Sequence, residues 1–407
     1  MRRLCGLIAL LMACSPVAGA ERNDNPVIHG TINIVLANHN GMVVLTDSML
    51  TSGRKQLPTP GKKLFRLDDH TVGAIAGIIY SPSGSYKELD MNTVAIVDDY
   101  ARQISTGTPI PILQKLRELA FILNTSLTAD ENTRSANNEA INADDYVLEL
   151  TVAGYDTDGL LKIGKVTLRS RNMGGDFDSD IASRQIRTVQ GGLLHEFSGM
   201  PDRAEFIMAH PQTLPRDAAI ATYQASLQSD QGESLDLDRM TELAKRLKYY
   251  STRAHPEIGG PNQVAIIQAG KIIKFSQPPF PNSAPVTRFS LFVGASFSGR
   301  PILFRVDAMG VFIRCHWNNI YVPIDRSFFI GNEFQDSLVA YSGGPLHFDQ
   351  TNKVVDSEVF ISGVTQYSRE LSDLRARFVA GRTANYDEKK IISLFITTRS
   401  PAILIDR

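Results

Sequence analysis

The sequence predicts an α+β protein in which two antiparallel sheets carry helices on their outer faces, followed by a β-rich C-terminal region. Three observations carry this expectation. Strand-like and helix-like periodicities alternate in blocks: three strands, two helices, two strands, three helices and a closing hairpin. Asn40-Gly41 joins the first two apolar runs and favours a tight hairpin. Beyond Ser276 to Pro285, which holds four prolines in ten residues, nearly every apolar run is short and bounded by turn residues.

Thr31 to Ala37 alternates as a strand, Met42 to Thr46 is a second, and Val72 to Ala76 a third. Met91 to Ile104 places Val94, Val97, Tyr100, Ala101 and Ile104 on one helical face. Pro109 to Asn124 spaces Leu113, Leu116, Ala120 and Leu123 likewise, with prolines at its start. A polar loop, Thr128 to Asp145, leads to strands at Tyr146 to Ala153 and Leu160 to Leu168. Helices are expected near 201–210, 215–227 and 236–250, the last with Asp236 as N-cap. Gln263 to Gln268 and Lys271 to Phe275 form a hairpin around Ala269-Gly270. The proline-rich stretch reads as a linker, or else as a surface loop within one large domain. After it, strands are expected at 289–293, 302–306, 311–315, 321–324, 337–341, 354–361 and 391–396, with one helix at 365–378 and no internal repeat. The chain thus divides into 1–20, 21–30, 31–275, a linker at 276–285, and 286–407.

Composition narrows the function classes. The 407 residues are 43% hydrophobic and 21% charged, ordinary globular values that argue against disorder. A formal net charge of −1 offers no basic excess for nucleic acid or an anionic membrane. Residues 1–20 read as a secretory signal: Arg2 and Arg3, an apolar stretch from Leu4 to Cys14, then Ala18-Gly19-Ala20 as a cleavage site. Two rival readings are a lipoprotein signal with lipid on Cys14 and a buried N-terminal element. The protein is therefore expected to be exported, either free or anchored through Cys14. Cys5 and Cys14 lie in the signal, so Cys315 is left without an intrachain partner. Cys315-His316-Trp317 lacks further ligands at metal spacing, and no Walker loop, dinucleotide fingerprint, zinc helix or nucleophile elbow occurs.

One set of spacings stands out. Gly30-Thr31 is followed after sixteen residues by Asp47, after sixteen more by Lys63 and after fourteen more by Gly77; Thr51-Ser52-Gly53 lies between. Taken singly, Thr31 is a common strand residue, Asp47 a strand-end residue, Lys63 a solvated charge and Gly77 a turn glycine. Together they resemble the start of a proteasome β-type subunit, a threonine-type N-terminal nucleophile (Ntn) hydrolase.

The resemblance implies a four-layer αββα Ntn-hydrolase sandwich over 31–275; it says nothing of 286–407, which the strand pattern leaves as an additional β-rich domain of unassigned role. It implies self-cleavage at Gly30, which frees Thr31 as nucleophile, and makes 21–30 a short propeptide. The Thr31 α-amine then serves as base, because a free α-amine titrates near 7.7–8.0. Lys63 pushes that amine toward its neutral form, Asp47 orients Lys63, and the Gly77 N–H faces the oxyanion. Thr51 and Gly53 meet the substrate main chain by strand addition. Leu50, Gly61, Ile75 and Ile79 fall at the positions lining the side-chain pocket. None is charged, which implies apolar specificity; for Ile75 and Ile79 a core role is equally open. The closing segments match less well: Gln190-Gly191-Gly192 and His255-Pro256-Glu257-Ile258-Gly259-Gly260 keep paired glycines without the family's serines and aspartate. His255 and Glu257 are candidates for a substitute contact. The expected activity is peptidase or amidohydrolase, on a peptide or small amide, with no cofactor or metal implied and homo-oligomerisation open. The alternative is a non-catalytic binding or assembly module of the same fold.

Overall fold

The computed structural model describes residues 28–30, 32–52, 55–57, 60–81, 91–105, 108–136, 147–169, 186–277, 280, 289–298, 302–303, 309–343, 346–362, 369–397 and 403–404. The expected signal and most of the expected propeptide and linker lie outside them.

The N-terminal part is built on two antiparallel sheets. The first contains β1 (Ile28–Gly30), β4 (Thr51–Ser52), β5 (Lys55–Gln56), β6 (Leu64–Arg66), β7 (Thr71–Ser81), β8 (Met91–Asn92), β9 (Val147–Tyr155), β10 (Leu161–Arg169) and β11 (Ile186–Thr188). Its main order is β11-β10-β9-β7-β1-β4-β5, with β6 and β8 also on β7. The second joins β2 (Ile32–Asn38), β3 (Gly41–Thr46), β12 (Leu194–Gly199), β13 (Gln263–Ile267) and β14 (Lys274–Ser276) in the order β12-β2-β3-β13-β14. The β2–β3 hairpin turns at Asn38–Gly41, as the Asn-Gly pair predicts. Asn38 also donates to Leu235 O at 2.8 Å, which ties the turn to a distant loop.

Strand alternation sorts the two cores. Val35, Ala37, Met42 and Val44 point between the sheets and meet Val72, Ala74, Ala153 and Ile163. The opposite residues of β2 and β3, Ile32, Ile34, Leu36, Val43 and Leu45, meet α3 (Asp202–Ala209), α4 (Ala218–Asp230) and α5 (Leu237–Ala254). On the far face of the first sheet lie α1 (Thr93–Ile104) and α2 (Ile112–Ala136).

The C-terminal part is a parallel β-solenoid, which the sequence reading missed when it found no repeat. One face stacks β15 (Phe289–Val293), β18 (Met309–Ile313), β21 (Ser327–Ile330) and β24 (Leu346–Phe348). A second stacks β16 (Ser296–Ser298), β19 (His316–Asn318), β22 (Glu333–Gln335) and β25 (Lys353–Val355). The third stacks β20 (Tyr321–Pro323), β23 (Leu338–Tyr341) and β26 (Glu358–Ile361). In the first coil, β17 (Ile302–Leu303) pairs with the C-terminal β27 (Ile403–Leu404). Corners turn on left-handed residues, among them Arg314, Asn319, Arg326, Asp336 and Asp356. Inside, Phe292, Phe312 and Phe329 stack at 5.2 and 5.0 Å, and Trp317 stacks on Phe334 at 5.7 Å. Helix α6 (Arg369–Ala380) closes the last coil with Leu371, Leu374 and Phe378. The run at 391–396, expected as a strand, belongs to a helix, α7 (Glu388–Thr397). Asp387 accepts from Lys389 N and Lys390 N and caps its start.

These findings correct the expected four-layer αββα Ntn-hydrolase sandwich. The described chain is β-rich, with six sheets against seven α-helices, and the solenoid is integral to the layering. Helices α1 and α2 are not an outer layer. Leu291, Val293, Val311 and Ile313 of the solenoid belong to the same buried cluster as Tyr100, Leu116 and Leu150. Arg314 Nε reaches Glu118 Oε1 at 2.6 Å, Tyr100 donates to Glu118 Oε2 at 2.7 Å, and Gln103 bonds Leu291 O and Val293 N.

A ladder of buried amides holds the solenoid in register. Asn332 Oδ1 accepts from Cys315 N at 3.0 Å, and its Nδ2 donates to Phe312 O and to Asn352 Oδ1. Replacing Asn332 by leucine strands these buried groups. The expected loss is about 2–4 kcal/mol, from roughly 1–3 kcal/mol per orphaned group, read as a lower urea midpoint.

Candidate functional site

The site sits where the chain passes from one sheet to the other. Strand β1 ends at Gly30 in the first sheet, and β2 begins at Ile32 in the second. Thr31 itself lies outside the described residues, as does Gly53, but both covalent neighbours of Thr31 are placed. Gly30 pairs with Gly77 of β7, and His29 pairs with Ile78 on one side and with Thr51 of β4 on the other. Ile32 N donates to Asp47 Oδ1 at 3.1 Å.

Asp47 follows β3 and is fully buried. Its Oδ1 also accepts from Lys63 Nζ at 2.8 Å, while Oδ2 accepts from Met49 N and Gly259 N, both at 3.2 Å. Lys63, just before β6, is also wholly buried, and its ammonium makes a second bond to Met49 O at 2.6 Å. Burial lowers the Lys63 pKa below the ordinary value; the adjacent Asp47 carboxylate opposes that shift. Gly77 has φ +93°, a conformation that favours glycine. The sequence spacing thus brings Asp47, Lys63 and Gly77 around the two residues that flank Thr31.

The other expected residues fall nearby. Thr51 is buried in β4 opposite His29. Leu50 is half-buried over Gly61, where a Cβ would meet Leu50 Cδ2 at 2.3 Å. Ile75 and Ile79 are buried in the cluster under α1 and α2, the packing expected of core residues. Of the two glycine pairs, only Gly259-Gly260 reaches the site. Gly192 N bonds Glu233 Oε1 at 3.1 Å, beside the loop that holds Asn38 at the far end of β2. The His255 ring turns away, to Asp202 Oδ1 at 2.7 Å.

Two contributors, Gln263 and Lys248, escaped the sequence reading. Gln263 is buried and braces the site twice: Oε1 accepts from Lys63 N and Leu64 N, and Nε2 donates to Gly61 O and Asp47 O. A glutamine opening the apolar run Gln263-Val264-Ala265-Ile266-Ile267 was the visible signal. Gly259, expected only as one of a closing glycine pair, supplies a donor to Asp47. Lys248 lies on the buried stripe Met240, Leu243, Ala244, Leu247, Lys248, Ser251 of α5, where a charge is out of place. Burial lowers the Lys248 amine to about 8; Asp47 opposes this shift and Lys63 adds to it.

The sheet end beside the site is polar. Ser198, Asn33, Thr46 and Gln263 lie in one row across β12, β2, β3 and β13. All four are buried, and Asn33 Oδ1 and Thr46 Oγ1 have no partner among the described residues.

Elsewhere, Cys315 is buried in the solenoid and its thiol is pushed up to about 12 by desolvation, so it is a poor nucleophile at neutral pH. His316 points the other way and lies 3.3 Å from Glu333 Oε2. Among the described residues no group of three or more His, Cys, Asp or Glu is placed to hold a metal, and no helix is long and apolar enough to cross a membrane.

No family model matches the chain, and no curated protein does. Among solved structures, Anbu (ancestral beta-subunit) from Yersinia bercovieri is 13% identical at a TM-score of 0.37, covering 60% of this chain and 86% of its own. Anbu from Hyphomicrobium sp. strain MC1 is 12% identical at 0.35, with the same coverage. Likeness at this level does not uphold the proteasome β-type assignment read from the sequence, which is corrected accordingly: the neighbours are distant and the layering differs.

Proposed function

We propose that this chain is the precursor of a threonine-type amide hydrolase that cleaves itself between Gly30 and Thr31. The observation that carries the reading is the buried Asp47–Lys63 pair, whose Oδ1 also binds the N–H of the residue after Thr31. Burying a charged pair this deeply costs hydration that only close geometry and further hydrogen bonds offset, so its presence here argues for a role beyond stability. In the precursor the Thr31 nitrogen is an amide and is no base. Lys63 in its neutral form, which burial favours, takes the hydroxyl proton and becomes the ammonium that Asp47 holds. Thr31 Oγ attacks the Gly30 carbonyl carbon, the Gly30–Thr31 C–N bond breaks, and the proton passes to the departing nitrogen. Water then hydrolyses the ester, leaving the Gly30 carboxylate and a free Thr31 amine. Turnover repeats the sequence on a substrate amide, with that amine as base.

The precursor supplies the substrate geometry. Its own β1 lies antiparallel between β7 and β4, with Gly30 beside Gly77. A substrate strand takes this place once the leader departs, its carbonyl oxygen directed at the Gly77 N–H. Leu50 over Gly61 favours an apolar side chain. Residues 1–20 direct export, and 21–30 keep the nucleophile masked until cleavage.

Intact mass and N-terminal sequencing of the protein from its native compartment test the reading. A chain beginning at Thr31 supports it; a stable chain beginning at Glu21 refutes it. Gly77→Ala tests the oxyanion role. At φ +93° an alanine shifts or strains the N–H. The expected fall in kcat is on the order of 10²-fold, with processing slowed as well.

A further inference from the structure

We propose that Lys248 is a positioning residue for this reaction: from α5 its amine clamps the 259–262 segment that orients Asp47. The proposal rests on the reading of Thr31 as nucleophile. Lys248 Nζ donates to Gly260 O at 2.5 Å and to Asn262 Oδ1 at 2.7 Å, and the residue is only 6% exposed. A lysine on the apolar face of a helix loses hydration and rotamer freedom, so its two bonds must be worth that loss.

The clamp acts one residue from Gly259, a donor to Asp47. Gly259 N donates to Asp47 Oδ2, and Gly259 O accepts from Ser48 N and Met49 N at 3.2 and 3.1 Å. The next residue has little room to move: at φ +69°, a Cβ on Gly260 would stand 2.8 Å from Ser48 Oγ and 3.1 Å from Met49 N. If Gly260 shifts, the Gly259 N–H leaves Oδ2, which then keeps Met49 N, and the carboxylate's alignment on Lys63 and Ile32 N loosens. His255 does not substitute, because its ring is engaged outside with Asp202. Lys248 instead holds this segment from the helix side.

The test uses full-length precursor as wild type, Lys248→Met, Lys248→Arg, Asn262→Ala and Thr31→Ala. Three quantities are read: the fraction beginning at Thr31, melting temperature, and kcat and KM on a small apolar peptide amide. Rates are normalised to sites titrated with a peptide boronate. Lys248→Met is expected to lower kcat per titrated site at least about tenfold, the scale of a small misplacement of catalytic groups. KM should stay within about twofold, because β4 and β7 are untouched. Lys248→Arg should recover part of the loss, and Asn262→Ala should lower kcat about threefold. Wild-type kcat per titrated site in Lys248→Met, with or without a lower melting temperature, overturns the proposal. If Lys248→Met does not fold, Asn262→Ala decides: unchanged kcat overturns the proposal, and reduced kcat at unchanged KM supports it. An unprocessed wild type, or an active Thr31→Ala, overturns the nucleophile reading and this one with it. That failure is distinct, because it shows without any Lys248 variant.

Discussion

Thr31→Ala is expected to leave Gly30 joined to residue 31 and to reduce amide hydrolysis by a factor on the order of 10⁴ or more. The loss is large because one residue supplies both halves of the chemistry: its hydroxyl attacks, and its amine exists only after that attack has freed it. Without the hydroxyl no group remains to open the 30–31 bond, and β1 stays between β7 and β4, where the substrate must bind. Mass spectrometry should show a chain that keeps Glu21–Gly30, and turnover should sit at background. Thr31→Ser keeps a hydroxyl and should still be processed, more slowly. Wild-type processing in Thr31→Ala would falsify self-cleavage by this residue.

The site was partly legible because its first half is local in sequence. Asp47, Lys63 and Gly77 lie on or beside consecutive strands, so their spacing follows from strand length and hairpin geometry. Asp47 takes the position after β3 that the Asn-Gly turn fixes by setting the β2–β3 register. The second half was not legible. Gln263 and Lys248 join the site across about two hundred residues, and a buried lysine in a helix looks in sequence like any surface lysine. Only its place on the stripe between Leu247 and Ser251 marks it.

The solenoid escaped for a different reason. Its coils are unequal: Gly310 to Ser327 spans seventeen residues and Ser327 to Leu346 nineteen, so no fixed period appears. The pairs Phe292/Phe312, Asn332/Asn352 and Ser337/Ser357, each twenty apart, were the available signal. The four-layer expectation failed because a buried helix face does not name its partner. Helical periodicity shows that α1 buries one face, but not that Gln103 and Glu118 on the helix pair hold the solenoid. The run Ile391-Ile392-Ser393-Leu394-Phe395-Ile396 is too short for periodicity to separate strand from helix, and the Asp387 cap tips it to helix.

Asp47→Asn and Lys63→Met should differ in stability although both remove the same ion pair and both should abolish processing. Asp47→Asn leaves an ammonium wholly buried without its carboxylate, a change expected to cost about 3–5 kcal/mol. Lys63→Met leaves a carboxylate that still accepts from Ile32 N, Met49 N and Gly259 N, so its cost should be nearer 1–3 kcal/mol. The double variant should cost less than the sum of the two, because the orphaned charge that dominates Asp47→Asn is then absent. The pH dependence fixes the cause. Burial lowers the Lys63 pKa and Asp47 holds it up, so losing Asp47 lowers it further below the ordinary 10.5. Between the folded and unfolded pKa values the unfolded chain binds more protons, and stability must rise with pH. The Asp47→Asn penalty, measured by urea unfolding, should therefore shrink as pH rises toward 10.5, the ordinary lysine value, as the buried amine adopts its neutral form. A penalty that stays constant over that range would place the cost in lost hydrogen bonds to the Asp47 carboxylate, and Lys63 would then not be the charged partner the site requires.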